Sequence, residues 1–447
     1  MNGTSDIGVA SLGLSAAVQQ VWRPILSTSR RKALPSSPRR GRGEQAWKEH
    51  LSYVGSTTLS SKGTIVLVSK QASSQKTVLC WCGSGQPYGE CHRDRDKQIP
   101  LKSYEIDAAF RKAFAKKYCL HPQSSSSNCS QQIVKAHSVS ASSNLKNIAE
   151  DGHVLRFYYP PKVPVEARGR VVAQSIGINK ASTFTGFCKL HDSQTFSRID
   201  QPIQLLTPEH CFLLAYRALC QVVFTKAASF AASPTLRQLD RGTPSAVQQA
   251  HQQSCSDREF SIMAGLEDLH RDKADFDRHF LSCNFEAISY YILELDHAPQ
   301  IVCSIAFPPE FDFDGNQLQV LENPDIHVDM CTCSIIATQR GGAIVFSWLK
   351  ETTGASRRLV ESLDRLKPHL RPSAIVRLVF ECGENVFFSK AWWNGLDLKT
   401  QRMIEDRANS LWYKPPGTLL DDGCRPVLWS VVSKSASSNL KIDSSIL

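Results

Sequence analysis

Thiols and imidazoles crowd into one short run of the chain, Cys80-Trp81-Cys82-Gly83-Ser84-Gly85-Gln86-Pro87-Tyr88-Gly89-Glu90-Cys91-His92. A C-x-C arm and a C-H arm, eight residues apart, offer three thiolates and one imidazole. That donor set fills the tetrahedral shell of Zn²⁺ and leaves no position for water, the composition of a structural rather than a catalytic site. Gly83 and Gly85 suit the turn after a metal-bound Cys, where amide N–H groups swing toward sulfur and φ becomes positive. So short a loop has little core of its own, and the metal would hold it folded.

A second concentration of such residues runs from Cys119 to His191. Cys188-Lys189-Leu190-His191 places a thiol and an imidazole on one turn, and Cys119 and Cys129 flank a loop containing Ser124 to Ser127. Cys119, Cys129, Cys188 and His191 are therefore expected to hold a second structural zinc. The competing reading is that these side chains pack or titrate in a core.

The first run, C-W-C-G-S-G-x5-C-H, resembles the SEC-C motif, the zinc knuckle named from the C-terminus of the bacterial translocase motor SecA. The resemblance implies Zn²⁺ on Cys80, Cys82, Cys91 and His92. It also implies a protein-interaction module for translocation or ribosome-associated partners. After its second Gly the chain carries Gln86, Pro87, Gly89 and Glu90, where the family usually has Lys-rich residues.

Inside the second block, His137, Asn144 and His153 follow the order of an HNH endonuclease finger, which rides on a treble-clef zinc scaffold. By that resemblance His137 is the general base that activates water and Asn144 orients it. His153 would hold a catalytic Mg²⁺ or Mn²⁺ that polarises the scissile phosphate. On the competing reading the two histidines are structural ligands or core residues. The string Ser140-Ala141-Ser142-Ser143-Asn144-Leu145-Lys146 recurs letter for letter as Ser435-Ala436-Ser437-Ser438-Asn439-Leu440-Lys441.

The elements that must position these groups belong to a chain of 447 residues, 42% hydrophobic and 21% charged, a globular composition long enough for several cores. No run of 18 apolar residues suggests a membrane span, and the first residues lack a basic segment of the secretory type. An odd count of 15 cysteines, clustered as metal ligands are, points to a reducing, cytoplasmic setting without disulfides. The net charge of +10 is uneven. Residues 1–117 hold 19 Lys and Arg against 8 Asp and Glu, and residues 118–200 hold 9 against 5. Residues 201–447 reverse the sign, with 24 against 29. A cationic front beside zinc loops suits a phosphate backbone.

Pattern divides the chain into five segments. Residues 1–60 read as a disordered basic tail, and 61–100 as the knuckle with two lead-in strands at 63–70 and 76–79. Residues 101–200 form the Cys/His-rich block, 201–432 a mixed helical and sheet domain, and 433–447 a polar tail. Helices are expected over 103–118, from Thr207 onward, over 257–281 with a solvated charged face, and from Ser389. Antiparallel strands are expected at 285–295, 300–307, 326–337, 341–349 and 427–432. Asp312-Phe313-Asp314-Gly315 reads as a turn, and Cys331 and Cys333 as two thiols packed on one strand face. The expected architecture is α+β, small zinc-stabilised front modules followed by a helical and antiparallel-sheet domain. The expected role is binding of nucleic acid or a nucleic-acid-containing assembly through residues 1–200, with an HNH-like nuclease as its catalytic form. A SEC-C-mediated protein adaptor is the alternative.

Overall fold

The computed structural model describes residues 78–158, 171–321, 323, 325–350, 353–409, 416–440 and 442. The segment 1–60 and most of the two lead-in strands lie outside the described residues. The architecture is α+β, helices around antiparallel sheets.

Alternating apolar residues make the central sheet. In β5 (Ile288–Leu295), Tyr291, Leu293 and Leu295 face one layer while Ile288 and Ile292 face the other. β7 (Cys331–Thr338) and β8 (Gly341–Leu349) repeat the pattern, with Phe346 and Trp348 on the first side and Ala343 and Val345 on the second. Successive side chains of a strand point to opposite faces, so both faces of this sheet are covered. With β2 (His153–Tyr158), β3 (Val172–Gly177), β6 (Ile301–Phe307), β9 (Val386–Phe388) and β10 (Val431–Ala436), the described strands form an eight-stranded sheet. Its order is β10-β5-β8-β7-β6-β9-β2-β3, and every pairing is antiparallel. β1 (Ile133–His137) and β4 (Thr183–Cys188) make a separate two-stranded ribbon.

Two groups of helices cover the sheet. On one face lie α6 (Ala355–Arg365) and α7 (Arg371–Cys382), supported by Trp393 and by Ile404 of α8 (Leu398–Asn409). On the other lie α3 (Lys189–Asp200), α4 (Pro208–Ala231) and α5 (Ser245–Leu281). Thr207 caps α4 by accepting the His210 amide, with Pro208 at the first helical position, as its residue types dictate. By length and composition the segment that begins with α4 is apolar enough to cross a membrane, but most of it is buried against the sheet and α5. α1 (Tyr88–Cys91) and α2 (Ser103–Phe114) complete the front, α2 burying Ile106 and Phe110 against Leu236, Leu239 and Cys255.

Several expectations change here. The 101–200 block does not stand apart from the larger domain: β2 and β3 extend the large sheet, and Asn144 ties the block to β7. α5 begins 12 residues before its expected start, because its first three turns bury Gln248, Gln252 and Cys255 rather than an apolar stripe. Its charged face is only partly solvated. Asp272 and Lys273 are buried, Asp272 against His327 at 3.0 Å and Lys273 against Asp277 at 2.7 Å. The last strand runs to Ala436, four residues into the expected polar tail. Asp312 to Gly315 is the expected turn, Asp312 accepting the amides of Asp314 and Asn316. Cys331 and Cys333 are fully buried on one face of β7.

Candidate metal centres

The knuckle is shaped by its own backbone. The Cys80 amide donates to Gln86 O at 2.8 Å and the Tyr88 amide to Val78 O at 2.9 Å, closing a tight loop that carries Cys80 and Cys82. Gly83 and Gly85 have φ of +75° and +73°, the left-handed conformation glycine adopts without strain. A Cβ at either would meet nothing within 4 Å, so backbone conformation rather than space selects the glycines. Cys91 ends α1 and His92 comes directly after it, so the second arm returns both donors toward the first.

The four donor atoms lie within 4.8 Å of one another. His92 Nδ1 is 3.2 Å from Cys80 Sγ and 3.1 Å from Cys91 Sγ, and Cys82 Sγ is 3.6 Å from Cys91 Sγ. The edges of a tetrahedral Zn²⁺ shell are ~3.8 Å between sulfurs and ~3.6 Å from sulfur to nitrogen, given usual bond lengths. The three separations fall about 0.2–0.5 Å inside those edges, close enough for one ion to draw the four donors into its shell. Burial raises the Cys80 thiol to about 12. At Cys82 burial pushes the same way, but hydrogen bonds, first among them Ser84's, bring the thiol below its ordinary value. Closely packed thiols have to lose protons together, which a dication makes favourable.

Sequence reasoning missed the residue that orients the imidazole. His92 Nε2 lies 3.0 Å from Oδ2 of Asp240, whose side chain is fully buried. Asp240 also accepts from Arg95 Nε at 2.7 Å and from Gln252 Nε2 at 2.7 Å. Arg95 in turn donates to Arg237 O. A carboxylate on the far nitrogen of a metal-binding histidine fixes its tautomer and strengthens it as a ligand. Here it also fastens the knuckle to the turn before α5 and to α5 itself. Nothing near residue 92 signals a partner 148 positions away; only the buried acid, visible once folded, identifies it.

The second cluster draws on three segments. Cys119 and Cys129 come from the irregular loop before β1, held to β4 by the amides of Tyr118 and Leu120 on Thr185 O and Gly186 O. Cys188 ends β4 and caps α3, its sulfur accepting the His191 amide, so the C-x-x-H turn is the first turn of that helix. His191 Nδ1 is 3.4 Å from Cys119 Sγ, 3.6 Å from Cys129 Sγ and 3.4 Å from Cys188 Sγ. All four donors again lie within 4.8 Å of one another. His121 stacks on His191 with ring centroids 3.9 Å apart, and burial, then the neighbouring His191, lowers His121 to about 4. Among the described residues, these two are the groups of His, Cys, Asp or Glu able to hold a metal ion.

The HNH-like expectation finds no support in the geometry. Asn144 is buried, and its carboxamide oxygen accepts the Ala337 amide of β7 at 2.8 Å rather than orienting His137. His137 Nε2 bonds Ile178 O at 3.1 Å, and burial lowers its pKa. His153 is exposed, with Nδ1 2.8 Å from Asp151 O. None of the three belongs to either metal-capable group. The HNH-like resemblance and a catalytic Mg²⁺ or Mn²⁺ therefore have no support. Order along the chain suggested a catalytic finger; the packing spends the same atoms on backbone.

No curated protein and no solved structure matches this chain. Residues 77–94 match the family model of the SEC-C motif, and the cluster at Cys80, Cys82, Cys91 and His92 fits the zinc knuckle of that motif.

Proposed function

We propose that this chain is a zinc-stabilised binding protein whose front, the SEC-C knuckle with α2, engages nucleic acid. A donor set of three thiols and one imidazole fills the metal shell, so the ion's role is to shape a surface rather than to activate water. The observation that carries the reading is the mix of exposed rings and cations over residues 78–117. Trp81, Tyr88 and Tyr104 are exposed, on the same stretch as exposed Arg93, Lys97, Lys102, Arg111, Lys112, Lys116 and Lys117. Tyr104 and Arg111, seven residues apart on α2, share a helix face, and Lys102 Nζ sits 5.9 Å from the Tyr104 ring. Aromatic rings beside cations are the equipment for stacking unpaired bases while neutralising phosphates. Residues 1–77 add 11 Lys and Arg against 3 Asp and Glu.

A second reading, a protein adaptor, is favoured by a different feature. Val78, Leu79 and Ile99 are exposed beside the knuckle, and apolar surface of that kind suits a protein partner. Fluorescence titration of the zinc-loaded chain with a labelled single-stranded oligonucleotide separates the two. Binding through about five phosphates should weaken on the order of 100-fold between 50 and 200 mM salt. Arg111→Glu with Lys112→Glu should weaken it further while zinc content stays constant. Absence of binding to both RNA and DNA strands would discard the nucleic-acid reading and leave the adaptor.

A further inference from the structure

We infer that Cys119, Cys129, Cys188 and His191 hold a second zinc ion, outside the SEC-C motif and independent of it. Three observations converge. The imidazole Nδ1 sits at nearly equal distances, 3.4, 3.6 and 3.4 Å, from three sulfurs. Each lies close to the ~3.6 Å sulfur–nitrogen edge of a tetrahedral zinc shell. Amide hydrogens are turned onto the sulfurs: the Cys188 amide points at Cys119 Sγ and the His191 amide at Cys188 Sγ, both at 3.5 Å. Such amides stabilise thiolates, and they have less to offer a neutral thiol. Finally, the donors converge from two segments far apart in the chain, the irregular 119–129 loop and the junction of β4 with α3. Cys188 is fully buried, Cys119 and Cys129 half-buried, and the loop's main-chain ties to β4 stop at Leu120.

Binding at this site displaces three protons: three thiols, one neutral imidazole and one Zn²⁺ give a Zn(S-Cys)₃(N-His) unit of charge −1 and three H⁺. No electrons move, and no other reactant is needed. A disulfide between two of the sulfurs is the rival outcome. It would release two electrons to an oxidant and leave one thiol and the imidazole unable to fill a metal shell. The ion's work is mechanical. It joins the 119–129 loop to the start of α3, next to the stack of His121 on His191 and the edge contact of His121 with Phe280 of α5. Tyr118, one residue before the first ligand, stacks on Phe224 of α4. The second zinc thus pins the loop to the α4–α5 pair near the C-terminal end of α5, whereas the knuckle reaches α5 near its start through Gln252.

The test is a metal count on the full chain, purified under reducing conditions and divided by protein from amino-acid analysis, for wild type, Cys91→Ser and Cys129→Ser. The expected values are two zinc ions per chain in wild type and one in each variant. If Cys129→Ser fails to fold, wild type and Cys91→Ser still decide. One ion in wild type that vanishes in Cys91→Ser overturns the proposal, as does a metal-free folded chain. One ion that survives Cys91→Ser supports this site while overturning zinc at the knuckle, so the two failures are distinguishable. A disulfide among residues 119, 129 and 188, found by mass spectrometry of unreduced protein alkylated at once after purification under argon, also overturns it.

Discussion

At the scale of single residues, the consequential side chain is one that carries no motif. Asp240 accepts from Arg95 and Gln252 while facing His92 Nε2, so it is the hinge between the knuckle and the helical body. Replacing it by Asn keeps the shape but loses the charge that strengthens the imidazole. Asp240→Asn should lower zinc affinity at the knuckle about 10- to 100-fold, read by competition with a chelating indicator. Asn144 shows the opposite lesson, a residue that looked chemical and is architectural. Asn144→Ala strands the buried Ala337 amide and should cost about 1–3 kcal/mol in urea unfolding, with zinc content unchanged. The eight clustered Cys and His side chains were legible because soft donors gathered along a chain have few other uses. Asp240 was not, because acids are common and its pairing is set by tertiary contacts.

At the scale of elements, the repeated heptapeptide is the clearest case of context overriding local sequence. Its first copy forms a helical turn over Ala141–Leu145 that buries Ser143, Asn144 and Leu145. In its second copy, Ser435 and Ala436 finish β10 and pair with β5, and Asn439 donates to Ser289 Oγ. The same letters serve two conformations because different surfaces receive them. α4 was readable from its cap and apolar run, whereas the start of α5 was hidden because its inner face carries glutamines that bond the preceding turn, Gln248 to Thr243 O and Gln252 to Asp240 Oδ2, instead of an apolar stripe. With zinc on the second cluster, as proposed, the ion adds a tie to the 119–129 loop, whose main-chain bonds to β4 stop at Leu120. Chelation should therefore raise hydrogen–deuterium exchange there, and at residues 80–92, well before the strands β5 to β8 lose protection.

For the whole molecule, the division of labour is between a sheet covered on both faces and a front held by soft ligands. The sheet's apolar alternation was plain in the sequence, so β5 to β8 fell near their expected places. β2, β3 and β9 did not declare themselves, since short or partly polar strands gain their identity from neighbours. Large-to-small changes in the sheet should act globally. Phe346→Ala, which empties a fully buried position in the core shared with α6 and α7, should cost about 3–5 kcal/mol without altering zinc stoichiometry in the folded protein. A ligand change such as Cys91→Ser should do the reverse, lowering the metal count while the sheet stays intact.

The central claim is that three thiolates and one imidazole close around zinc at the knuckle. X-ray absorption at the zinc edge of the full chain tests it directly. The account predicts a shell of three sulfurs at about 2.3 Å and one nitrogen at about 2.0–2.1 Å, with no oxygen, for the wild type and for Cys129→Ser alike. An oxygen ligand in that shell for Cys129→Ser, or a folded Cys129→Ser chain with no zinc to measure, would contradict it.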